Sequence, residues 1–443
     1  MQIFQRPRCL FRTKHAFFRL THTAMPRLSL RPGSLLNACP RWENTQLRFS
    51  QINWLRLALL VLIAALLLPA WHLKHPLLYK FSMIETPFLL GLPILLLYRC
   101  SHWLGALGHW LLITLFVLTL WGEIEYRLQR SAVLAASPAM QAVGAHIMAG
   151  YDNFAEVQEL ARKGLIGGVY IARRNIRGRS FADVANEIAS LQSARKAAGL
   201  PPLVVAADQE GGSVSHLSPI LPAMPPLAAL SHEPDPESAA RAYGQQQGKG
   251  LAALGITLNF GPVVDLKPDG RPENDIFSNI PARSIASDQH TVIRIARGYL
   301  AGLNDAGVQG TLKHFPGLGR VKSDTHLHPA TLLAAPESFA ADWLPFQTLS
   351  QQGLPAIMLG HVTLAALDPE HAASHSAIII RDLLRRQWGF QGRLITDDLN
   401  MGAVYGRGIG QVTREAIAAG VDLVLISYDP RQVYRAIFEA SRT

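Results

Sequence analysis

The chain has 443 residues, which at about 150 residues per domain allows two or three units. With 49% hydrophobic and 17% charged residues it is too apolar to be a disordered chain. Its net charge of +10 is uneven: residues 1–130 hold 15 basic and 4 acidic residues (+11), and the other 313 hold 27 and 28 (−1), so the large C-terminal part offers no cationic surface to nucleic acid.

The first 52 residues read as a basic, disordered leader. Nine Lys/Arg stand there against one acid, Glu43, and Pro7, Pro26, Pro32 and Pro40 interrupt any periodicity. Met25 is an alternative start within it. Residues 53–122 read as a transmembrane region of about three helices. Trp54–Trp71 is free of charge from Leu57 to Ala70, and Trp103–Trp121 carries Trp at both ends like an interfacial belt. Between them Phe81–Tyr98 is apolar but holds Glu85, Pro87 and Pro93. The basic flank favours a cytoplasmic N-terminus. Three spans then put residue 122 onward outside the cytoplasm, and two would leave it inside. The expected partner of this region is membrane lipid.

From about residue 136 to the end, short apolar β-branched runs alternate with helical patterns. The predicted strands are Gly168–Ala172, Leu203–Ala207, Thr257–Val264, Gly310–Lys313, Ala356–Gly360, Leu394–Thr396 and Leu423–Ser427. The predicted helices include Phe181–Ala198, Pro236–Leu254, His290–Ala306, Phe339–Gln352 and Gly410–Ala419. Such alternation argues a parallel α/β sheet. A (β/α)₈ barrel fits the length, with a doubly wound open sheet as the alternative. Polar side chains at successive strand ends favour the barrel, where they would converge on one mouth: Asp208 and Glu210, Asp265, Lys313 and His314, His361, and Asp397 and Asp398. Cysteine is absent from this part, since Cys9, Cys39 and Cys100 all precede it. That excludes a disulfide scaffold and a Cys-ligated zinc site there.

Five segments resemble glycoside hydrolase family 3. They are Val205–Gly212 (VAADQEGG), Leu254–Asp265 (LGITLNFGPVVD), Gln309–Gly319 (QGTLKHFPGLG), Ser323–His326 (SDTH) and Leu394–Met401 (LITDDLNM). They fall in the family's order between about Met140 and the C-terminus. The resemblance implies the (β/α)₈ barrel. It also implies the single-domain bacterial β-N-acetylglucosaminidase type, because only 45 residues follow Asp398 and the proton donor must come from the same domain.

Retaining hydrolysis needs an ionised carboxylate below the anomeric carbon and a group to protonate the leaving oxygen. Adjacent strand residues face opposite sides, so Asp397 or Asp398 serves, not both; the resemblance selects Asp397. Asp398 is then structural. The resemblance assigns the acid/base pair to Asp324 and His326. An imidazole, whose unperturbed pKa is near ~6.5, suits giving and taking a proton near neutrality. Asp208, Arg283, Lys313 and His314 match the family's sugar ligands. Asn175 reads as a loop stabiliser, and His361 as a supporting or satisfied core histidine. Ser213 and His216 stand where the family's cytoplasmic members carry Arg. Leu318 and Arg320 replace a His and an Asp.

Other readings are weaker. Gly244–Gly250 lacks the spacing and the Ser/Thr of a phosphate loop. Gly406–Gly410 lacks a dinucleotide spacing. His314, His326 and His328 do not form a zinc pattern. No metal or cofactor is expected. The expected function is a membrane-anchored retaining β-N-acetylglucosaminidase acting on terminal N-acetylglucosamine of glycans such as peptidoglycan fragments, at a bacterial inner membrane with its catalytic domain in the periplasm. The alternatives are a phosphorylase using the same site and a silent, anchored sugar-binding protein.

Overall fold

The computed structural model describes residues 49–71, 82–268, 270, 277–351 and 355–442. The expected leader lies outside these residues up to residue 48, and residues 49–52 are already helical. The chain divides into Met1–Leu55 and Arg56–Thr443; the second unit is described below. Helices of nine residues or more are labelled, as are the strands of the two larger sheets.

The apolar N-terminal region forms α1 (Phe49–Trp71) and α2 (Ser82–Leu134). α2 is broken at Gly105, whose φ of 60° and ψ of −178° are not helical. The chain folds back there: Leu89 and Leu115, 26 positions apart, are buried in one cluster with Ala70, whereas a straight helix would hold them roughly 39 Å apart. The Ser101 hydroxyl meets His109 Nε2 at 2.8 Å across the bend. A Cβ on Gly105 would come within 2.1 Å of the Arg56 guanidinium, which donates to the carbonyl of Leu104 at 3.3 Å. Among the described residues, Thr86–Leu134 is long and apolar enough to cross a membrane by length and composition, and Trp54–Leu68 is a shorter apolar helix. Trp110 and Trp121 are more than two-thirds exposed.

The rest is α/β. Strands β1 (Ile147–Gly150), β2 (Gly168–Ile171), β3 (Val204–Ala207), β4 (Leu258–Asn259), β5 (Thr311–Phe315), β6 (Ala356–Leu359), β7 (Leu394–Thr396) and β8 (Val424–Ile426) are all parallel to their neighbours. Helices α3 (Phe154–Arg162), α4 (Phe181–Ala197), α5 (Pro236–Leu254), α6 (Gln289–Asp305), α7 (Ala340–Ser350), the π-helical α8 (Ile378–Gln387), α9 (Ile409–Ala419) and α10 (Arg431–Ala440) lie between and after them. These eight strands make two sheets, in the orders β8-β1-β2-β3-β4 and β7-β6-β5. Isolated parallel bridges join Leu258 to Gln309 and Ile395 to Leu423.

Alternating strand residues point to opposite sides, and two clusters result. Met148, Tyr170, Ala206, Leu258, Met358, Ile395 and Leu425, from seven strands of both sheets, pack together. Residues such as Ile147, Val169, Val205, Leu312, Ile357, Leu394 and Val424 pack against the helices.

Most predicted elements are found with ends shifted by a residue or two. β4 is the exception. Its apolar run continues to Val264, but the regular ladder ends at Asn259, before Pro262, which has no N–H to give; pairing resumes as an isolated parallel bridge between Val263 and Lys313. β1 is absent from the sequence reading; four residues ending in Gly150 make a weak signal. The run Gly244–Gly250 lies inside α5. Its glycines serve packing: a Cβ on Gly244 would sit 2.3 Å from the Tyr299 carbonyl oxygen and one on Gly248 2.8 Å from the Ala306 Cβ, while on the facing helix α6 one on Gly302 would sit 2.1 Å from the Arg241 carbonyl oxygen.

Candidate active site

The predicted site residues gather at the carboxyl-terminal edge of the strands. Asp208 follows β3 and Asp265 lies beyond β4. Lys313 and His314 end β5, and Asp397 follows β7. The peptide bond between Lys313 and His314 is cis.

A charge cluster occupies one side. Lys313, 2% exposed, places Nζ 2.5 Å from both Asp208 Oδ1 and Glu210 Oε1. Arg283 grips Glu210 with two bonds, of 3.0 and 2.7 Å. Its Nη2 also lies 3.5 Å from His314 Nε2. The other nitrogen of His314 meets Asp265 Oδ2 at 2.7 Å, and Asp265 Oδ1 accepts the backbone N–H groups of His314 and Leu318. Buried charges persist only when paired, and each here has a partner. Burial pushes the Asp208 carboxyl up, but Lys313 together with His216 and Arg283 outweighs it and holds the group well below the usual carboxylate range. Glu210 is likewise held down against burial, by Arg283 and Lys313. The structure therefore unites all four expected sugar ligands, Asp208, Arg283, Lys313 and His314. Glu210 and Asp265 connect them.

The second side is the loop Asp324–His326. His326 Nδ1 is 2.9 Å from Asp324 Oδ1 and 3.2 Å from the Ser278 hydroxyl. Asp324 also accepts from the N–H groups of His326, Phe277 and Ser278 and from the Ser278 hydroxyl. These donors outweigh burial and keep its carboxyl ionised well below the usual range. His326 is half-buried, and the Phe277 ring lies 6.0 Å from its ring. The carbonyls of His326 and Thr325 accept the N–H groups of Gly402 and Ala403, at 2.7 and 3.2 Å. The loop is thus stitched to the segment that follows Asp397.

The two adjacent aspartates differ in their surroundings. Asp398 is buried and accepts from the N–H groups of Asn400 and Ser427 and from the Ser427 hydroxyl. Burial, with the neighbouring Asp397 charge adding to it, pushes its carboxyl up to about 6. Asp397 is half-buried and accepts from the N–H of Asp398. Burial would raise it too, but the fields of His314, His361 and His326 win and it lies below the usual carboxylate value. His361 is a satisfied buried histidine, bound to the Ser374 hydroxyl and the Asp398 carbonyl oxygen, both at 2.9 Å. Asn175 stabilises the loop after β2: it accepts from Ala172 N–H and donates to the Tyr151 carbonyl.

Residue-by-residue reading left Glu210, Asp265, Ser278, Tyr170 and His216 without roles. Tyr170 donates to Asp208 Oδ2 at 3.0 Å and lies 2.8 Å from His216 Nδ1. Burial lowers the pKa of His216 and so favours its neutral form. Glu210 had a signal, being two residues from Asp208. Ser278 had none, because it reaches the site from 46 residues upstream of Asp324. Arg320 points elsewhere, pairing with Asp342 at 2.8 Å over the Phe339 ring.

The glycosyl hydrolase family 3 N-terminal domain matches residues 139–442. The chain belongs to glycosyl hydrolase family 3. A beta-hexosaminidase of Xanthomonas euvesicatoria pv. vesicatoria is 33% identical over 288 residues, 63% of this chain and 82% of that protein. A glycoside hydrolase family 3 beta-N-acetylglucosaminidase structure from Paenibacillus sp. str. FPU-7 has a TM-score of 0.63 at 32% identity, covering 68% of this chain. This chain spans only 57% of that larger neighbour. A beta-N-acetylhexosaminidase structure from Beutenbergia cavernae has a TM-score of 0.62 at 30% identity, covering 69% of this chain and 91% of its own. This family 3 chain is thus an enzyme, a glycoside hydrolase.

Proposed function

We propose that this family 3 enzyme is a membrane-anchored, retaining β-N-acetylhexosaminidase that removes terminal N-acetylglucosamine from glycans, peptidoglycan fragments among them. The observation that carries it is the Asp324–His326 pair, hydrogen-bonded and stitched through Gly402 and Ala403 to the strand end that bears Asp397. The names of the similar proteins support the N-acetylhexosaminide class.

In this reading Asp397 is the nucleophile. Its carboxylate attacks the anomeric carbon while the bond to the leaving oxygen breaks, and His326 gives that oxygen its proton. Water then attacks the same carbon, His326 takes the water's proton, and the bond to Asp397 breaks. Asp324 accepts from Nδ1–H of His326, so the proton given to and taken from substrate is the one exchanged at Nε2, and the carboxylate's negative charge stabilises the imidazolium. Asp208, Arg283, Lys313 and His314 bind sugar hydroxyls.

The two sheets are read as arcs of one (β/α)₈ barrel. The parallel bridges at Leu258–Gln309 and Ile395–Leu423 support closure, as does the cluster drawn from both sheets. α1 and the two arms of α2 are read as three membrane spans. With nine basic residues before them, they support a catalytic domain on the periplasmic side of a bacterial inner membrane.

The test is hydrolysis of a chromogenic N-acetyl-β-D-glucosaminide by the detergent-solubilised full chain. Turnover that disappears in Asp397→Ala and falls by roughly 10²–10⁴ in His326→Ala supports both roles. Release of sugar 1-phosphate only in phosphate would reassign the enzyme as a phosphorylase. No turnover with or without phosphate would sink the reading.

A further inference from the structure

The second arm of α2 runs without a break from Ala106 to Leu134, and its last third is fastened along the side of the α/β domain. Glu123 pairs with Arg431, at the start of α10, at 2.5 Å. The Arg431 guanidinium lies 3.8 Å from the Tyr126 ring centroid, and Tyr126 packs edge-on against Tyr434. Arg130 pairs with Glu156, in the first turn of α3, at 2.8 Å, and Tyr434 donates to the same carboxylate. Val133 is fully buried in the main core. The Leu134 carbonyl accepts from Lys163, just past the end of α3, at 2.5 Å.

These contacts fix a direction. α10 and α3 begin just after the carboxyl ends of β8 and β1, which is the edge that holds Asp208, Lys313 and Asp397. Residue 123 lies at the beginning of α10, residue 130 reaches the first turn of α3, and residue 134 lies at the far end of α3. The arm therefore descends from the site edge to the opposite edge. The part of this arm before Glu123 rises beyond the site edge. That part is the apolar one: Ala106–Trp121 spans roughly 24 Å at 1.5 Å per residue, close to the ~30 Å of a bilayer core. Trp121, exposed and suited to the headgroup layer, is only about 3 Å along the axis from Glu123. The loop after β2, at the same edge, exposes Arg173 and Arg177, cations that suit anionic headgroups.

From this we infer that the active-site edge faces the bilayer at headgroup level, and that the substrate is an N-acetylhexosaminide carried on a lipid of the same membrane. The inference rests on the hydrolase and anchor readings above. A mouth turned toward the membrane meets glycans tethered in it at high local concentration, while a glycan in bulk solution must enter from the side.

The full chain is reconstituted in phospholipid vesicles. One substrate is an N-acetyl-β-glucosaminide on a diacyl lipid, placed either in the enzyme's vesicles or in separate ones; the other is a soluble chromogenic N-acetyl-β-D-glucosaminide. Cleavage in the shared bilayer is expected to be at least about tenfold faster than across vesicles, as linkage to one surface raises effective concentration. Glu123→Ala combined with Arg431→Ala should shrink that advantage and leave the soluble rate unchanged. Soluble turnover without the shared-bilayer advantage overturns the inference and spares the hydrolase reading; no turnover of either substrate overturns both. A direct measurement is independent of turnover. A fluorophore on Arg177→Cys, in a background without the native cysteines, should be quenched by headgroup spin labels several-fold more than one on Lys196→Cys at the opposite edge. Equal or reversed quenching rejects the orientation.

Discussion

Asp397 and Asp398 show how one strand end makes two unlike carboxyl groups. Asp398 is buried and its pKa is raised to about 6. The folded state holds its proton more tightly than the unfolded chain does. The stability it contributes is complete below the unfolded value, near ~3.9, and is lost as pH rises through about 6. The wild-type chain should therefore lose up to about 3 kcal/mol between pH 4 and 7 relative to Asp398→Asn. Urea unfolding of both at pH 4.5 and pH 7 checks it, and parallel curves refute it. Asp397 shifts the other way, so its ionised form extends below the usual carboxylate range. The acid limb of kcat/KM, read with a soluble chromogenic N-acetyl-β-D-glucosaminide, should accordingly lie below pH ~3.9. Alternation predicted that the two aspartates would differ, and the resemblance assigned which was which. Glu210 was less legible in the sequence: its motif was visible, but not that one carboxylate would serve both Lys313 and Arg283.

Glycines set the close approaches between elements. A Cβ on Gly402 would meet the Leu327 carbonyl oxygen at 2.3 Å and that of His326 at 2.9 Å. Gly402→Ala should push the Asp324–His326 loop off Asp397. The expected result is at least a tenfold fall in kcat with a cooperative unfolding transition retained, seen by kinetics beside thermal melting. Gly302→Ala tests packing alone: its Cβ would clash with the Arg241 carbonyl between α5 and α6. Such overpacking costs about 1–3 kcal/mol and should lower Tm by several degrees with kcat unchanged. Helix α5 itself was predicted over its full length, and in the structure Asp235 caps it and Gly255 follows its end. The glycines within it looked like a failed phosphate loop because sequence carries no record of the helix that presses against them.

At the scale of the whole molecule, the end of α2 and the α/β domain are mechanically joined. Residues 123–134 supply two ion pairs and a buried valine to the domain. A chain beginning at residue 122 should therefore melt several degrees above one beginning at residue 136, by calorimetry in matched buffer; equal values would show that the strut is not part of the folded unit.

Composition and local pattern determined by themselves that an apolar, cation-flanked region precedes an α/β domain, and that carboxylates, His and Lys end its strands. These follow from short-range periodicity, which the chain records directly. Only the tertiary structure decided which of those side chains share a proton or a charge. Ser278 reaches His326 across 48 positions and Glu123 reaches Arg431 across 308. Contacts at such separations depend on the packing of the elements between them, so no window of sequence contains them.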